Sequence, residues 1–232
     1  TVVDQLVDEL QEHVWAKSGK PKRRLQGDCL EKLHYSAECY KADDEKRWLI
    51  ALIADTGMRL AEGAGLLKSD FVEQDGILCV NIRPHPWRSL KTASSARVIP
   101  LVGSAKWAAE RILAQPDGSK FAFPNYNDGQ RSNANSASAA LNKWLKSKIG
   151  RGYTIHSFRH SMRDRLRAVE CPSEAIDQIG GWARKGTGEC YGEGYRVHHL
   201  KTFLVKFFSL VSLIQVQKYL PLTKPQLSQA LL

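Results

Sequence analysis

Two short motifs place arginines where they can bind an anion. In "TGMRLAE", residues 56–62, Arg59 stands at a helix start just after a glycine, and Glu62 follows three positions later. Residues three apart meet on one side of a helix, so the carboxylate can orient the guanidinium. The guanidinium itself donates two parallel hydrogen bonds to a phosphate or a carboxylate. A buried arginine held by a carboxylate is also a common structural pair, and this motif alone leaves both interpretations open.

The motif "HSFRH", residues 156–160, puts three more such side chains on one predicted helix. His156 and Arg159 lie three apart, and His160 follows His156 by one turn. They form either an anion-binding face or an ordinary basic helix surface, because three further arginines follow in the same helix. Histidines four apart can bind a metal. However, no glutamate stands between them as in HExxH zinc sites and no third ligand is evident, which disfavours a metal.

A tyrosine is the candidate nucleophile. The glycine-containing segment "GECYGEGY", residues 188–195, carries Tyr191 and Tyr195. A phenol with its ordinary pKa of about 10 attacks at neutral pH only with help from a base or from nearby positive charge. His156 is the candidate base. Lys91, in "SLKTASSARVIPL", suits either proton donation to a leaving oxygen or a plain contact to phosphate.

Taken in order, these motifs resemble the catalytic domain of the tyrosine recombinases, the phage integrase family. The order is "TGMRLAE", then Lys91 ahead of "RVIPL", then "HSFRH", then "GGW", and then a tyrosine nine positions after Trp182. The resemblance covers roughly residues 40–205 and depends on the ordered set with these intervals, since no single motif is specific. Tyr195 stands thirteen positions after Trp182 and is better interpreted as a packing aromatic.

The resemblance implies a role for each motif residue. The family has two arginines that bind the phosphate, a loop lysine, an HxxR histidine and a tyrosine nucleophile. The corresponding catalytic residues here are Arg59, Lys91, His156, Arg159, Trp182 and Tyr191, with Glu62 and His160 in supporting positions. The family usually has a histidine where this chain has Trp182. An indole N–H donates one hydrogen bond but takes up no proton, which weakens any acid-base role at this position.

The function implied by the resemblance is that of a site-specific DNA recombinase, an integrase. Such an enzyme cleaves and rejoins strands through a covalent 3′-phosphotyrosine intermediate, for integration or excision of a prophage or other mobile element. The intermediate stores the energy of the broken bond, so resealing needs no ATP, metal or other cofactor. Two alternatives stay open: a type IB topoisomerase-like relaxing enzyme, and a non-catalytic DNA-binding protein that retains the fold.

The fold class predicted for this chain is α+β, mainly α-helical with a small three-stranded antiparallel sheet, which is the tyrosine recombinase catalytic-domain fold. Alternation and an Asp-Gly turn predict a β-hairpin over 69–84, and "ARVIPL" (96–101) predicts a third strand. Apolar spacing predicts helices over 1–16, 27–41, 43–55, 104–115, 135–149, 154–170 and 173–179.

Two further predictions concern one face of the 43–55 helix and the ends of the 173–179 helix. Four apolar residues are expected to line one side of the 43–55 helix, namely Trp48, Leu49, Leu52 and Ile53. Cys171, Pro172 and Ser173 are expected to end the 154–170 helix and to cap the next one, which Gly180 and Gly181 are expected to stop.

Three segments are expected along the chain. Residues 1–24 form an N-terminal helix and basic linker, residues 25–220 the catalytic domain, and residues 221–232 a C-terminal tail. The apolar segment 203–220 predicts an amphipathic helix that docks either on a neighbouring protomer or against its own core. Only some forty residues precede the catalytic pattern, fewer than the N-terminal clamping domain of the family. We therefore expect weaker and less sequence-selective DNA binding from this chain alone.

Composition limits the partners and the compartment. The 232 residues include 34 Lys and Arg against 24 Asp and Glu, a net charge of +10, which favours a polyanionic partner. With the resemblance, the partners expected are double-stranded DNA and further copies of the chain, a homo-oligomer (tetramer) on DNA and a monomer in isolation, with no membrane. Five scattered cysteines without CxxC pairs favour free thiols. The expected location is the cytoplasm, in association with the bacterial nucleoid.

Overall fold

A computed structural model describes residues 42–116, 118–149, 153–183 and 194–206. The predictions for the N-terminal helix and linker, for the 27–41 helix, for most of the 203–220 helix, for the tail and for Tyr191 fall outside these ranges. The helices are α1 (Glu45–Thr56), α2 (Leu60–Ala64), α3 (Gly103–Leu113), α4 (Ala134–Ile149), α5 (Ile155–Ala168), α6 (Ser173–Gly180) and α7 (197–206). The strands are β1 (Phe71–Gln74), β2 (Ile77–Ile82) and β3 (Arg97–Pro100).

The three strands form one antiparallel sheet in the order β1-β2-β3. Gln74 pairs with Ile77 across a two-residue turn, and Val80 pairs with Phe71 on one side and Ile99 on the other. The turn residues Asp75 and Gly76 both have positive φ, 54° and 70°. Two positive φ values are typical of the type I′ turn, whose twist matches that of the strands, and Asp-Gly suits it. The predicted hairpin, third strand and fold class are therefore confirmed.

Helix α1 is the centre of the core and packs against α3 and α5. It begins after Asp44, whose side chain accepts a hydrogen bond from the Arg47 N–H at 3.0 Å, and ends at Gly57, which has φ 65°. Glycine takes up this left-handed conformation at little cost, so the chain can turn sharply here. Every residue from Trp48 to Thr56 is buried. The four residues predicted to line one side, Trp48, Leu49, Leu52 and Ile53, are all buried, and the burial extends to the residues between them.

The boundaries of the later helices differ slightly from the prediction. Pro172 occupies the N-cap position of α6, so Ser173 is its first residue instead of its cap. Gly180 still belongs to the helix, and Gly181 ends it with φ 60°. The predicted α5 helix, 154–170, is shorter at both ends, because Thr154 caps it and the chain turns after Ala168. The described part of the chain contains no helix that is both long and apolar enough to cross a membrane.

Candidate active site

The turn after α1 brings Arg59 to the N-cap of α2, next to Glu62. The Arg59 backbone N–H donates to Glu62 Oε2 at 2.9 Å, and Arg59 Nη1 donates to Oε1 at 2.5 Å. Glu62 is only 3% exposed, whereas the Arg59 side chain is 24% exposed. Burial alone would raise the pKa of the Glu62 carboxyl, but Arg97 and Arg59 outweigh it and lower that pKa below its usual value. The carboxylate is therefore ionised and fixes the Arg59 guanidinium.

A second arginine, Arg97, also binds Glu62, and the sequence analysis did not single it out. Arg97 Nη2 donates to Glu62 Oε2 at 3.0 Å, Nη1 to the Ser95 carbonyl at 2.6 Å and Nε to the Ile179 carbonyl at 2.8 Å. A signal for it exists in the strand pattern. Arg97 is in phase with the buried Ile99, so alternation along β3 turns both side chains towards the interior. A charged residue at an inward position requires a partner, and Glu62 supplies it.

Arg159 lies in the middle of α5 and is 3% exposed. Its Nη1 donates to the Gly57 carbonyl, which ties α5 to the turn in front of Arg59. Its Nη2 is buried without a hydrogen-bond partner among the described residues. Burial, and next to it the positive charges of Arg59 and Arg97, lower the pKa of Arg159 to about 9. A buried donor and crowded positive charges both favour an anion, so an anionic group would be stabilised beside Arg159 Nη2.

Trp182 contacts two arginines of α5 through its aromatic ring. The Arg159 Cζ lies 4.4 Å from the centroid of the Trp182 ring, and the Arg163 Cζ lies 4.8 Å from it. Asp177 holds both Arg163 and Trp182, because its carboxylate accepts from Arg163 Nη2 at 3.0 Å and its carbonyl from the Trp182 backbone N–H at 3.0 Å. A Cβ on Gly180 would lie 1.8 Å from the ring, so only glycine lets the indole fold back. The sequence analysis considered only the hydrogen bond that the indole N–H can donate, whereas the structure shows cation–π contacts of the ring.

The histidines of the predicted motif lie at the N-terminal end of α5. His156 is exposed, His160 is half-buried, and their rings meet edge to face with centroids 4.8 Å apart. His156 and Arg159 therefore differ in burial although both belong to the HxxR motif. Among the described residues no group of three or more histidine, cysteine or acidic side chains is arranged to hold a metal ion.

Lys91 is exposed in the loop that leads to β3. Its neighbour Thr92 shares a hydrogen bond of 2.9 Å with the Ser95 hydroxyl, and that hydroxyl accepts from Arg59 Nη1 at 2.9 Å. Arg88 holds the start of the loop, because its Nη1 donates to the Glu62 carbonyl. The loop is thus hydrogen-bonded to the Arg59–Glu62 pair at both ends, although nothing in the sequence identified Ser95 or Arg88 as part of the site.

The structure places Tyr195 but not Tyr191. The backbone N–H of Tyr195 donates to Gln178 Oε1 at 2.8 Å, and its carbonyl accepts from Gln178 Nε2 at 2.9 Å. Its ring packs edge to face on Phe203 at 6.1 Å. Burial and then the negative charge of Glu174 raise the pKa of the Tyr195 phenol, which disfavours the phenolate. These contacts agree with a packing aromatic.

Comparison with known proteins gives matches to one family. The family model described as "Phage integrase family" matches residues 23–195. Among solved structures, the chain is similar to the Tn1549 transposon integrase in complex with transposon right end DNA, with 19% identity, a TM-score of 0.51, and coverage of 82% of this chain and 67% of that one. XerH site-specific recombinase bound to difH substrate matches with 17% identity and a TM-score of 0.47, over 78% of this chain and 53% of that one. No curated protein matches the sequence.

Proposed function

We propose a mechanism for this chain, which belongs to the phage integrase family and is a site-specific tyrosine recombinase, an enzyme that breaks and rejoins DNA. In the proposed reaction the Tyr191 oxygen attacks a phosphorus of the DNA backbone. The O–P bond to tyrosine forms as the bond between phosphorus and the 5′ oxygen breaks. His156 takes the phenol proton, and Lys91 gives a proton to the departing 5′ oxygen. Reversal by a different 5′ hydroxyl joins the new strands.

One observation supports this reaction best, namely the excess of positive charge around Arg159. Three guanidiniums, those of Arg59, Arg97 and Arg159, surround one carboxylate, that of Glu62, in the described part of the site. Nucleophilic displacement at phosphorus concentrates negative charge on the non-bridging oxygens, and preorganised donors stabilise it. Arg159 Nη2, which has no partner among the described residues, and the partly exposed Arg59 can donate to those oxygens.

We further propose double-stranded DNA as the substrate and a mobile element as its source. The first of the similar structures supports this, because it is described as a transposon integrase in complex with transposon DNA. The active assembly is a tetramer on DNA, and the chain is a monomer in isolation. Residues 25–220 act as the catalytic unit, with 1–24 as helix and linker and 221–232 as tail.

The test is covalent trapping on a suicide duplex. A nick near the cleavage position frees a short strand with the 5′ hydroxyl, so the protein stays attached to DNA and survives denaturation. The target comes from covalent capture on a library of random duplexes. We expect an adduct with the wild-type chain and with Tyr195→Phe, and none with Tyr191→Phe. An adduct that persists in Tyr191→Phe and disappears in Tyr195→Phe would assign the nucleophile to the other tyrosine.

The same protein distinguishes the topoisomerase-like and non-catalytic alternatives. A recombinase joins two captured sites to each other, whereas a relaxing enzyme removes supercoils from a plasmid that lacks the captured site. Relaxation of such a plasmid at a rate equal to that of a site-containing plasmid would favour the topoisomerase-like activity. Binding without an adduct on any library member would favour the non-catalytic protein.

A further inference from the structure

The side chain of Arg97 is only 3% exposed, and it joins three separate segments of the site. One of its partners, Ile179, is 82 positions away in α6, directly before the Gly-Gly-Trp motif. Another, Ser95, ends the loop that carries Lys91. The third, Glu62, holds Arg59. A single planar guanidinium therefore fixes these three segments relative to one another.

We propose that Arg97 is a positioning residue, which sets the relative placement of Arg59, the Lys91 loop and Trp182 without touching DNA. The proposal rests on the proposed function, since these are the groups to which that function assigns the chemistry. Arg97 is the first residue of the "RVIPL" motif, to which the resemblance assigned no role, and the proposal gives it one distinct from that of the two phosphate-binding arginines.

Arg97 differs from Arg59 and Arg159 in how its guanidinium N–H groups are hydrogen-bonded. All three of its nitrogens donate to protein atoms within 3.0 Å, and Glu62 balances its charge. Arg159, in contrast, keeps a buried Nη2 with no partner in the part of the chain that the structure describes, and Arg59 is 24% exposed. A phosphate oxygen would have to displace a charge-assisted bond to reach Arg97, whereas it meets an available donor on Arg159.

Gly181 is shaped to fit Arg97. It ends α6 with φ 60°, and a Cβ there would lie 2.6 Å from Arg97 Nη1 and 2.9 Å from its Cζ. Any larger residue would therefore push the guanidinium away from its partners. The second glycine of the Gly-Gly-Trp motif thus has a reason beyond helix termination: it admits the arginine that connects α6 to Glu62.

A lysine cannot replace this arrangement. Its ammonium is a point charge on a flexible stem, whereas the guanidinium directs fixed donors towards partners on different sides. Lysine would keep the ion pair with Glu62 but could not also hold the Ile179 and Ser95 carbonyls in place. Arg97→Lys therefore separates charge, which it keeps, from positioning, which it loses.

The experiment uses the full chain and the captured duplex, and it measures two quantities. One is the rate constant of adduct formation in a single turnover, and the other is the slope of log K for DNA binding against log salt concentration. We expect Arg97→Lys and Arg97→Met to lower the rate constant by similar factors, on the order of 10–100, by analogy with other residues that orient a reactive group. The slope should stay that of the wild-type protein. Arg59→Met should reduce the slope by about 0.9, the value for one lost phosphate contact.

Two glycine variants test the same point with Arg97 left in place. Gly181→Ala should lower the rate constant as Arg97→Lys does. Gly76→Ala is the matched control, because Gly76 has φ 70° but no atom within 4 Å of its added Cβ. It should keep the wild-type rate constant. If thermal melting shows that the Arg97 variants do not fold, the rate constants of Gly181→Ala and Gly76→Ala are compared instead, and a lower value for Gly181→Ala supports the proposal.

Each outcome has one meaning. A slope reduced by about one in Arg97→Met would make Arg97 a phosphate contact and overturn the proposal. If the wild-type protein is active and Arg97→Lys or Gly181→Ala has the same rate constant of adduct formation, the proposal is overturned as well. Wild-type protein that forms no adduct on any duplex would contradict the proposed function, and with it this inference.

Discussion

Replacing Glu62 by glutamine removes the carboxylate that, in the described part of the site, lies among the three guanidiniums, while it keeps the shape of the side chain. The carboxylate accepts three hydrogen bonds, from the Arg59 N–H, from Arg59 Nη1 and from Arg97 Nη2. A glutamine has a single acceptor oxygen and turns N–H groups towards the remaining donors. Breaking a buried ion pair from one side costs about 3–5 kcal/mol of the free energy of unfolding. For a domain of this size that corresponds to a melting temperature about 6–20 °C lower.

The pH dependence of this loss tests its electrostatic origin. The folded-state pKa of Glu62 lies below its unfolded value of 4.5. Its contribution to stability is therefore complete above the unfolded pKa and is lost as pH falls through the folded pKa. Urea unfolding of wild type and Glu62→Gln should differ most near neutral pH and converge in acid. Glu110→Gln is the control, because Glu110 is 57% exposed in a surface pair with Lys106, and it should change stability little. A difference that stays constant with pH, or a Glu62→Gln variant as stable as wild type, would refute the reasoning.

Two further substitutions probe the contacts of Arg159. Trp182→Ala removes the ring on which Arg159 stacks and should slow single-turnover adduct formation about tenfold, since a cation–π contact is worth about 1 kcal/mol or more when shielded from water. Trp182→Phe should slow this reaction less. Equal losses of rate in the two variants would contradict a role for the ring. Gly57→Ala forces a left-handed alanine whose Cβ lies 2.9 Å from Met162 Cγ, so thermal melting should show a loss of about 1–3 kcal/mol. Gly129→Ala, with φ 90° but open space, should lose less and serves as its control.

Local patterns in the sequence predict much of the fold. The Asp75-Gly76 turn specifies its own conformation, because both positions need positive φ and the flanking residues alternate. The Arg59–Glu62 contact follows from spacing, since residues three apart at a helix start are neighbours whatever the rest of the chain does. These features depend on a few consecutive residues, and for that reason they are found without knowledge of the tertiary structure.

Contacts between distant segments could not be predicted in the same way. The bond from Arg97 to the Ile179 carbonyl joins residues 82 positions apart, and no local pattern specifies it. The stacking of Trp182 depends on Gly180, which admits the ring, and on Arg163, whose Cζ α5 brings within 4.8 Å of the ring centroid. Sequence reasoning identified the indole as a hydrogen-bond donor because its chemistry is known, but which cations meet the ring follows only from packing.

The buried arginines raise a physical question, because the described site has far fewer carboxylates than guanidiniums. Backbone carbonyls provide part of the answer. Arg165 donates to the Ala54 carbonyl in the last turn of α1, in addition to a longer ion pair of 3.9 Å with Asp55, and Arg159 donates to the Gly57 carbonyl just beyond that helix. Arg88 donates to the Glu62 carbonyl in the last turn of α2. Together with Arg97 on Ile179 in α6, four arginines bind carbonyls at the C-terminal ends of three helices.

These carbonyls lack partners within their own helices, and they carry the negative end of the helix dipole. They can therefore satisfy the N–H groups of an arginine without neutralising its charge. A carboxylate at each position would hold the arginines equally well, but it would cancel the positive potential and repel a phosphate. Holding the guanidiniums mainly through helix ends keeps the site rigid and positively charged, which is the combination that stabilisation of a phosphate in its transition state requires.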